Sequence, residues 1–223
     1  VNAGIATAII TGIGLYGGTQ ELSYTIKPQT IAEDSVVLSE NEFTYDGKSK
    51  KPEVTIDGLK ANTDYNVVYS DNTNAGAATV TVTGTGNYTG TVEKTFAINR
   101  RSIEDMEIKL SKEEFVYDGT AKTPTVSISG LTNGTNFEVS YEDNIEIGTA
   151  TVTVTGIINY TGTVTKQFRI VNDLSVLNAT LSQTEYTYTG NECKPTVTID
   201  GLEENTDYEV TYSDNTNAGI AKA

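Results

Sequence analysis

Residues 79–98 read TVTVTGTGNYTGTVEKTFAI, and this stretch decides the fold of the chain. It begins with strict alternation of Thr and Val, a period of two that is typical of a half-buried β-strand with Val on one face. Gly84, Gly86, Asn87 and Gly90 follow, and these residues tolerate the positive φ angles of a tight turn. Apolar residues resume after the turn, so the stretch predicts a β-hairpin or β-arch.

The same pattern returns along the chain. Residues 151–170 repeat it with the turn NYTGT, and residues 7–26 carry a degraded copy with the turn LYGGT. Tyr45, Tyr117 and Tyr188 are 72 and 71 residues apart. This period is longer than the roughly 20–50 residues of solenoid repeats, and it is long enough for a small domain with its own core. The sequence therefore predicts a tandem array of small domains.

The period divides the chain into four segments. Residues 1–34 are predicted to be the C-terminal half of a repeat, and residues 35–105 and 106–176 two complete repeats. Residues 177–223 are then the N-terminal part of a further repeat. We expect six or seven strands in each complete repeat, because turn residues recur at short intervals and no segment has helical periodicity.

The aromatic residues follow the same period. All 13 Tyr and all 5 Phe fall into six columns of three. The columns are Phe43/Phe115/Tyr186, Tyr45/Tyr117/Tyr188, Tyr65/Phe137/Tyr208, Tyr69/Tyr141/Tyr212, Tyr16/Tyr88/Tyr160 and Tyr24/Phe96/Phe168. A residue present in every repeat most simply serves folding, so we expect these side chains in the core. The alternative is a sugar-stacking platform repeated in every unit.

Charge and composition exclude several classes of function. The chain carries 15 basic and 30 acidic residues, a net charge of −15, which disfavours binding to nucleic acid or to anionic membranes. The sequence contains no run of about 18 apolar residues, so it does not predict a membrane-spanning helix. Both ends are expected to be cuts in a longer chain, since Val1 is not preceded by a signal peptide and no anchor follows Ala223.

Catalysis is not expected. The chain has no His, and its single Cys, Cys193, aligns with Lys50 and Lys122 and cannot form an internal disulfide. Only carboxylates could perform acid–base chemistry, and they occur mainly in turns and at solvent-facing strand positions. We therefore predict no catalytic and no cofactor-binding residues.

Calcium is the one metal that the sequence brings into consideration. Asp71, Asp143 and Asp214 recur, each followed by Asn, and Glu104 and Asp105 lie at a predicted junction. Carboxylates converging at a junction could bind a hard cation. No loop has spaced Asp-x-Asp-x-Asp ligands, so Asx-turns at Asp-Asn are the favoured interpretation. The prediction is no metal site, with these five residues as the calcium candidates.

A covalent cross-link is a further alternative. Lys94 and Lys166 share a column, and Asn87 and Asn159 lie nearby in sequence. A Lys–Asn isopeptide bond could therefore close each complete repeat. The degraded repeat has Leu22 in the Lys column, which argues against the idea.

The repeats resemble a known family of modules. The residues that match are Tyr45-Asp46-Gly47, Lys51-Pro52, Asp64-Tyr65, the YSDNTNAG of residues 69–76 and the GNYTGT of residues 86–91. Together they resemble the tandem Ig-like "YDG" repeats, mostly-β modules of large bacterial cell-surface proteins, mainly of Gram-positive type. The chain departs from the pattern at Ile145-Glu146-Ile147-Gly148 and at Tyr188-Thr189-Gly190.

A second likeness concerns the fold. Leu59 and Tyr65, and again Leu202 and Tyr208, are spaced like the tyrosine corner of Ig and fibronectin-III sandwiches. Phe137 keeps the spacing without the hydroxyl. We therefore expect an all-β chain of Ig-like or fibronectin-III-like β-sandwich repeats of about 72 residues, arranged as a rod.

The resemblance implies an extracellular, cell-surface location and no active site. We expect a structural spacer or stalk whose partners are the neighbouring repeats of the same chain. One alternative is an adhesin that binds a host glycan or protein through the turn tips around Tyr16, Tyr88 and Tyr160. Another is a filament subunit, in which residues 177–223 and 1–34 of like chains complete each other by strand addition.

Overall fold

The computed structural model describes all 223 residues and is all-β, with 45% of residues in strands and 3% in helical turns. The strands are β1 (Gly4–Thr11), β2 (Thr19–Ile26), β3 (Gln29–Thr30), β4 (Val37–Leu38), β5 (Glu42–Thr44), β6 (Val54–Thr55), β7 (Tyr65–Ser70), β8 (Gly76–Gly84), β9 (Tyr88–Thr89), β10 (Thr91–Asn99), β11 (Arg101–Ser102), β12 (Ile108–Leu110), β13 (Glu114–Val116), β14 (Val126–Ile128), β15 (Phe137–Glu142), β16 (Gly148–Gly156), β17 (Tyr160–Thr161), β18 (Thr163–Val171), β19 (Ala179–Leu181) and β20 (Val197–Ile199). Short 3-10 helices occupy Glu33–Ser35 and Leu174–Val176, and no helix has the length and apolar character that a bilayer span needs.

The chain forms two compact units. The first comprises Val1–Glu113, Thr123–Glu142 and Thr151–Gln167. The second comprises Glu114–Lys122, Asp143–Ala150 and Phe168–Ala223.

A four-stranded sheet dominates the first unit, with strand order β5-β10-β8-β7. Strands β8 and β10 pair antiparallel with Thr83 opposite Thr91, which confirms the hairpin predicted from residues 79–98. Strand β7 pairs antiparallel with β8 on one side. Strand β5 pairs parallel with β10 on the other side, where Phe43 lies opposite Ile98.

The alternation of Thr and Val along β8 determines what this sheet buries. Val80 and Val82 are fully buried and Thr83 is exposed. They belong to one apolar cluster with Ile31, Val36, Val54, Ile56, Tyr65, Ala78, Val92, Phe96 and Ile98. Each buried Val, Ile or Phe side chain contributes roughly 1.5–3 kcal/mol relative to an exposed one, so this cluster is the main source of stability in residues 35–105.

A tyrosine hydroxyl makes the same hydrogen bond to a proline carbonyl in three repeats. Tyr69, Tyr141 and Tyr212 donate to the carbonyl oxygens of Pro52, Pro124 and Pro195 at 2.5, 2.6 and 2.5 Å. Burial raises the pKa of Tyr69 and Tyr141, which keeps both hydroxyls protonated as donors. The hydroxyls of Tyr65 and Tyr208 donate to Val54 O and Val197 O, each at 2.9 Å. Phe137, at the same position of its repeat, is as buried as Tyr65 and has no hydroxyl.

The hairpin of β1 and β2 pairs over its full length, from Gly4 opposite Ile26 to Thr11 opposite Thr19. Its strands pair only with each other, whereas β8 and β10 each have a second neighbour. Its large apolar side chains Ile5, Ile9, Leu22 and Tyr24 are consequently exposed. Residues 4–26 therefore form a paired hairpin whose apolar side chains are not covered by other residues of the chain.

In the first unit, β15 also pairs antiparallel with residues 151–156 of β16, with Phe137 opposite Gly156 and Glu142 opposite Thr151. In the second unit, β13 pairs parallel with β18, and Phe115 lies opposite Ile170. The rings of Phe115 and Phe168 meet edge to face at 5.4 Å, as those of Phe43 and Phe96 do. Strands β19 and β20 form a separate antiparallel pair.

Candidate functional site: the joint between repeats

Strands β16 and β18 are neighbours in one sheet, and the hairpin tip between them, residues 157–162, contacts the repeat before it. Strand β17 pairs parallel with β11, and the Arg101 N–H donates to Asn159 O at 3.0 Å. The Ile103 N–H donates to Thr161 O at 2.9 Å, and the Ile103 side chain is fully buried. The segment that leaves one hairpin thus becomes a short strand against the tip of the next hairpin.

The side-chain amide of Asn159 adds two hydrogen bonds to that contact. Its Oδ1 accepts from the Ala75 N–H at 2.8 Å, and its Nδ2 donates to Asn74 Oδ1 at 3.1 Å. Asn74 and Ala75 lie in the loop between β7 and β8 of residues 35–105. Both polar atoms of the amide are therefore used by the preceding repeat.

An aromatic pair lies beside the amide. The rings of Tyr45 and Tyr160 are 5.5 Å apart at an interplanar angle of 80°, the edge-to-face geometry that aromatic pairs prefer. Tyr160 is only 8% exposed. We call the set of Tyr45, Asn74, Ala75, Asn159 and Tyr160 the joint.

A second copy of the amide contact occurs 72 residues earlier. Asn87 Oδ1 accepts from the Ala3 N–H at 2.6 Å, and Asn87 Nδ2 donates to Asn2 Oδ1 at 3.1 Å. The Gln29 N–H also donates to Asn87 O at 2.9 Å, which matches the bond between Arg101 and Asn159. Two tips therefore use the same three hydrogen bonds on different neighbours.

The recurring aspartates proposed for calcium occupy turns. Asp71, Asp143 and Asp214 have φ angles of 55°, 55° and 58°, the left-handed region in which Asp and Asn are favoured among residues with side chains. All three are exposed. A positive φ at an Asp is typical of a bend in the chain.

The asparagine after each of these aspartates makes a clasp. The Asn72 amide donates to Lys50 O at 2.7 Å and the Lys50 N–H donates to Asn72 O at 2.7 Å. Asn144 forms the same two bonds with Lys122, and Asn215 forms them with Cys193. The clasp uses the backbone of its partner, so it tolerates Cys at the Lys position.

The structure also shows the surroundings of Glu104 and Asp105, the two calcium candidates at the predicted junction. Glu104 accepts from the Ser102 hydroxyl at 3.4 Å and is exposed, as is Asp105. No group of three or more acidic, His or Cys side chains converges in the chain. The five candidate residues are thus not brought together as a ligand set.

The isopeptide alternative concerned Lys94 and Asn87. Lys94 Nζ lies 3.9 Å from Glu33 Oε1, and the Asn87 amide bonds to Asn2 and Ala3. In the next repeat, Lys166 is exposed and the Asn159 amide belongs to the joint. Both asparagines therefore have noncovalent partners other than the lysines.

An ion pair that the sequence analysis did not recognise lies beside the Asn clasp. Lys50 Nζ is 2.8 Å from Asp46 Oδ1, and Lys122 Nζ is 2.5 Å from Asp118 Oδ1. The hydrogen bond from Lys50 lowers the pKa of Asp46, and that from Lys122 lowers the pKa of Asp118 well below 3.8. The further repeat replaces both partners together, with Thr189 and Cys193.

We expect Asp118→Asn to lower the Tm at pH 7, because Lys122 is almost buried and loses its carboxylate. The folded-state pKa of Asp118 lies below its unfolded value, so its stabilisation is complete above about pH 4 and is lost as the pH falls through the folded-state pKa. The Tm difference between Asp118→Asn and wild type should therefore shrink in acid. Thermal unfolding followed by circular dichroism from pH 2 to 8 measures it. Asp105→Asn is the exposed control, and a difference independent of pH would contradict the assignment.

The exposure of the aromatic columns depends on whether the repeat is complete. Tyr65, Phe96, Phe137, Tyr160 and Phe168 are buried. The exposed aromatics are Tyr16, Tyr24, Tyr117, Tyr186 and Tyr188, and four of these five lie in residues 1–34 and 177–223. The core role predicted for the columns is therefore confirmed for the five buried side chains, all of which lie in residues 35–176, whereas Tyr117 in the same range is exposed.

The joint was not predicted from the sequence, although its parts were noticed. Asn159 and Tyr160 were recognised as part of a turn, and Asn74 and Ala75 as part of the segment 69–76 that carries the family resemblance. The two asparagines are 85 residues apart, as are Asn2 and Asn87. The recurrence of that separation is the signal that pairs them.

A comparison with known protein families matches one segment of the chain, close to the bounds of the first complete repeat. Residues 34–102 match the MBG domain family. The MBG domain is a mostly-β repeat domain found in surface proteins, which confirms the resemblance expected above at that level. The match spans Tyr45, Asn74 and Ala75, the first side of the joint. No curated protein and no solved structure matches the chain.

Proposed function

We propose that the chain is a structural spacer segment of an extracellular bacterial surface protein. In this proposal, tandem Ig-like β-sandwich repeats follow one another as a rod, and their partners are the neighbouring repeats. The observation that carries it is the joint, where the Tyr160 ring and the Asn159 amide are used by the preceding repeat. A tip that holds a neighbour is what a spacer requires, since short ordered connections limit bending more than Gly/Ser linkers do.

The charge distribution gives further support. A net charge of −15 makes parallel copies of such a rod repel one another and keeps it away from anionic surfaces. The MBG match over residues 34–102 supports a surface location, because this repeat domain is found in surface proteins.

Small-angle X-ray scattering of the chain tests the proposal. Three repeats of about 25–30 Å in a row would give a maximum dimension of about 75–90 Å. Their radius of gyration would then exceed the value of about 17 Å that is expected for a compact domain with this number of residues. We expect the extended profile, unchanged by calcium or by a chelator. A compact profile would overturn the spacer, and a profile that lengthens with calcium would restore the five acidic candidates.

Assembly by strand complementation is the second candidate, favoured by the exposed apolar side chains of the β1–β2 hairpin, Ile5, Ile9 and Leu22. Strand addition from a like chain would cover them. The scattering mass would then rise with concentration, whereas a spacer alone keeps a constant mass. The adhesin alternative depends on exposed tip aromatics, and Tyr16 is 82% exposed whereas Tyr160 is buried. A glycan array probed with the chain tests that alternative.

A further inference from the structure

We infer that the residue at the hairpin tip decides whether a repeat is locked to the repeat before it. Asn87 and Asn159 occupy this position, and Leu15 occupies it in the first hairpin. The surface that receives the tip consists of Tyr45, Asn74 and Ala75, and the partner it fits is an Asn-Tyr tip of another repeat of this kind. The inference goes beyond the spacer proposal, because it applies equally to an adhesin built from these repeats.

The chemistry of the receiving loop explains the selectivity. It presents a backbone donor, the Ala75 N–H, beside an acceptor, Asn74 Oδ1. A carboxamide side chain offers an acceptor and a donor on one planar group, so it can satisfy both at once. A Leu side chain satisfies neither, and the tip would then keep only its two backbone hydrogen bonds, the packing of Ile103 and the ring contact.

The amide contact occurs twice in the chain with nearly the same geometry, which indicates that it is a regular feature of these repeats. The acceptor bonds are 2.6 Å at Ala3 and 2.8 Å at Ala75, and the donor bonds are 3.1 Å in both copies. The ring contact of Tyr45 and Tyr160 accompanies the second copy, whereas Tyr88 lies beside the first copy and is more exposed than Tyr160. The amide geometry therefore does not depend on the aromatic pair.

The receiving loops of the four segments can be aligned to ask whether each can bind an Asn tip. Asn2-Ala3, Asn74-Ala75 and Asn217-Ala218 share the receiving sequence, and residues 106–176 have Glu146-Ile147 there. A Glu carboxylate can only accept, and the Ile147 backbone still offers its N–H. Such a loop would still receive an Asn tip, so selectivity lies mainly at the tip residue.

The test compares Asn159→Leu with Asn87→Leu in the full chain. Hydrogen exchange of individual amides is measured by NMR. We expect Asn159→Leu to reduce the protection of the Ala75 N–H roughly two- to tenfold and to leave the Ala3 N–H unchanged, since one ordinary hydrogen bond is lost. Asn87→Leu should do the reverse, so each variant is the matched control of the other. Leu is compatible with the hairpin, because Leu15 stands at this position in a fully paired one.

The same samples show whether the Asn159 amide contact fixes the orientation of residues 151–167 relative to residues 65–99. Residual dipolar couplings from residues 65–99 and 151–167 should fit one alignment tensor in wild type and fit a single tensor less well in Asn159→Leu. The amides of Val152 and Val154 must keep their protection, which shows that the hairpin itself remains folded. An unchanged Ala75 amide in Asn159→Leu would overturn the inference, and so would loss of protection at both loops in either variant. These results are independent of the scattering profile, so failure of the lock and failure of the spacer are distinguishable.

Discussion

Phe96→Ala is expected to destabilise residues 35–105 by about 3–5 kcal/mol, the usual cost of removing a buried aromatic ring. Phe96 is 3% exposed and packs edge to face on Phe43 at 5.4 Å. A domain of about 72 residues has roughly 4–11 kcal/mol of stability in total. The variant should therefore unfold this repeat at low urea concentration.

Tyr24→Ala is the matched control, because Tyr24 occupies the same column in the hairpin of β1 and β2 and is 56% exposed. Urea titration followed by NMR resolves the repeats, with amides of β8 reporting on residues 35–105 and amides of β16 on residues 106–176. We expect Phe96→Ala to shift the midpoint at β8 strongly and Tyr24→Ala to shift it little. Equal shifts for the two variants would mean that the column does not act through burial.

Local pattern was sufficient for the hairpins. Alternating Val and Thr predicted β8, and its Val80 and Val82 are fully buried. The turn residues then predicted the return of the chain as β10, which pairs along its length. These elements are predictable because adjacent strands and period-two burial are encoded within some twenty residues.

Pairing between distant segments was not predicted. Phe43 was expected in the core, yet the parallel alignment of its strand with β10 was not predicted, because parallel partners are separated by a long crossover. No strand was predicted at Gln29 and Thr30, which pair parallel with Tyr88 and Thr89. A local sequence pattern reports burial but does not name the partner strand.

Some of the missed contacts carried a signal in the repeat itself. Pro52 and Tyr69 recur with a constant separation of 17, and each Tyr hydroxyl bonds to its Pro carbonyl. Asp46 and Lys50 recur together and are replaced together at Thr189 and Cys193. Comparing columns in pairs identifies such contacts, since two residues that interact change together within one chain.

The close approach of backbone at the hairpin tip connects the fold to the joint. A Cβ at Gly156 would lie 2.7 Å from Thr161 N and 2.8 Å from Thr161 O, and one at Gly84 would lie 2.6 Å from Thr89 N. Contacts this short with main-chain atoms cannot be relieved by a rotamer change. The tip that carries Asn159 and Tyr160 therefore depends on glycine at the end of β16.

We expect Gly156→Ala to destabilise residues 106–176 by about 1–3 kcal/mol, the usual cost of overpacking, because the backbone around Thr161 must move. The shift also displaces Asn159, so the Ala75 amide should lose its hydrogen-exchange protection together with the change in stability. Gly17→Ala is the matched control, since a Cβ at Gly17 meets nothing within 4 Å. Urea unfolding and amide exchange of the same sample measure both effects. If Gly156→Ala lost stability while Ala75 stayed protected, tip geometry and the joint would be independent. If both change together, the turn that closes each hairpin also sets the contact between repeats.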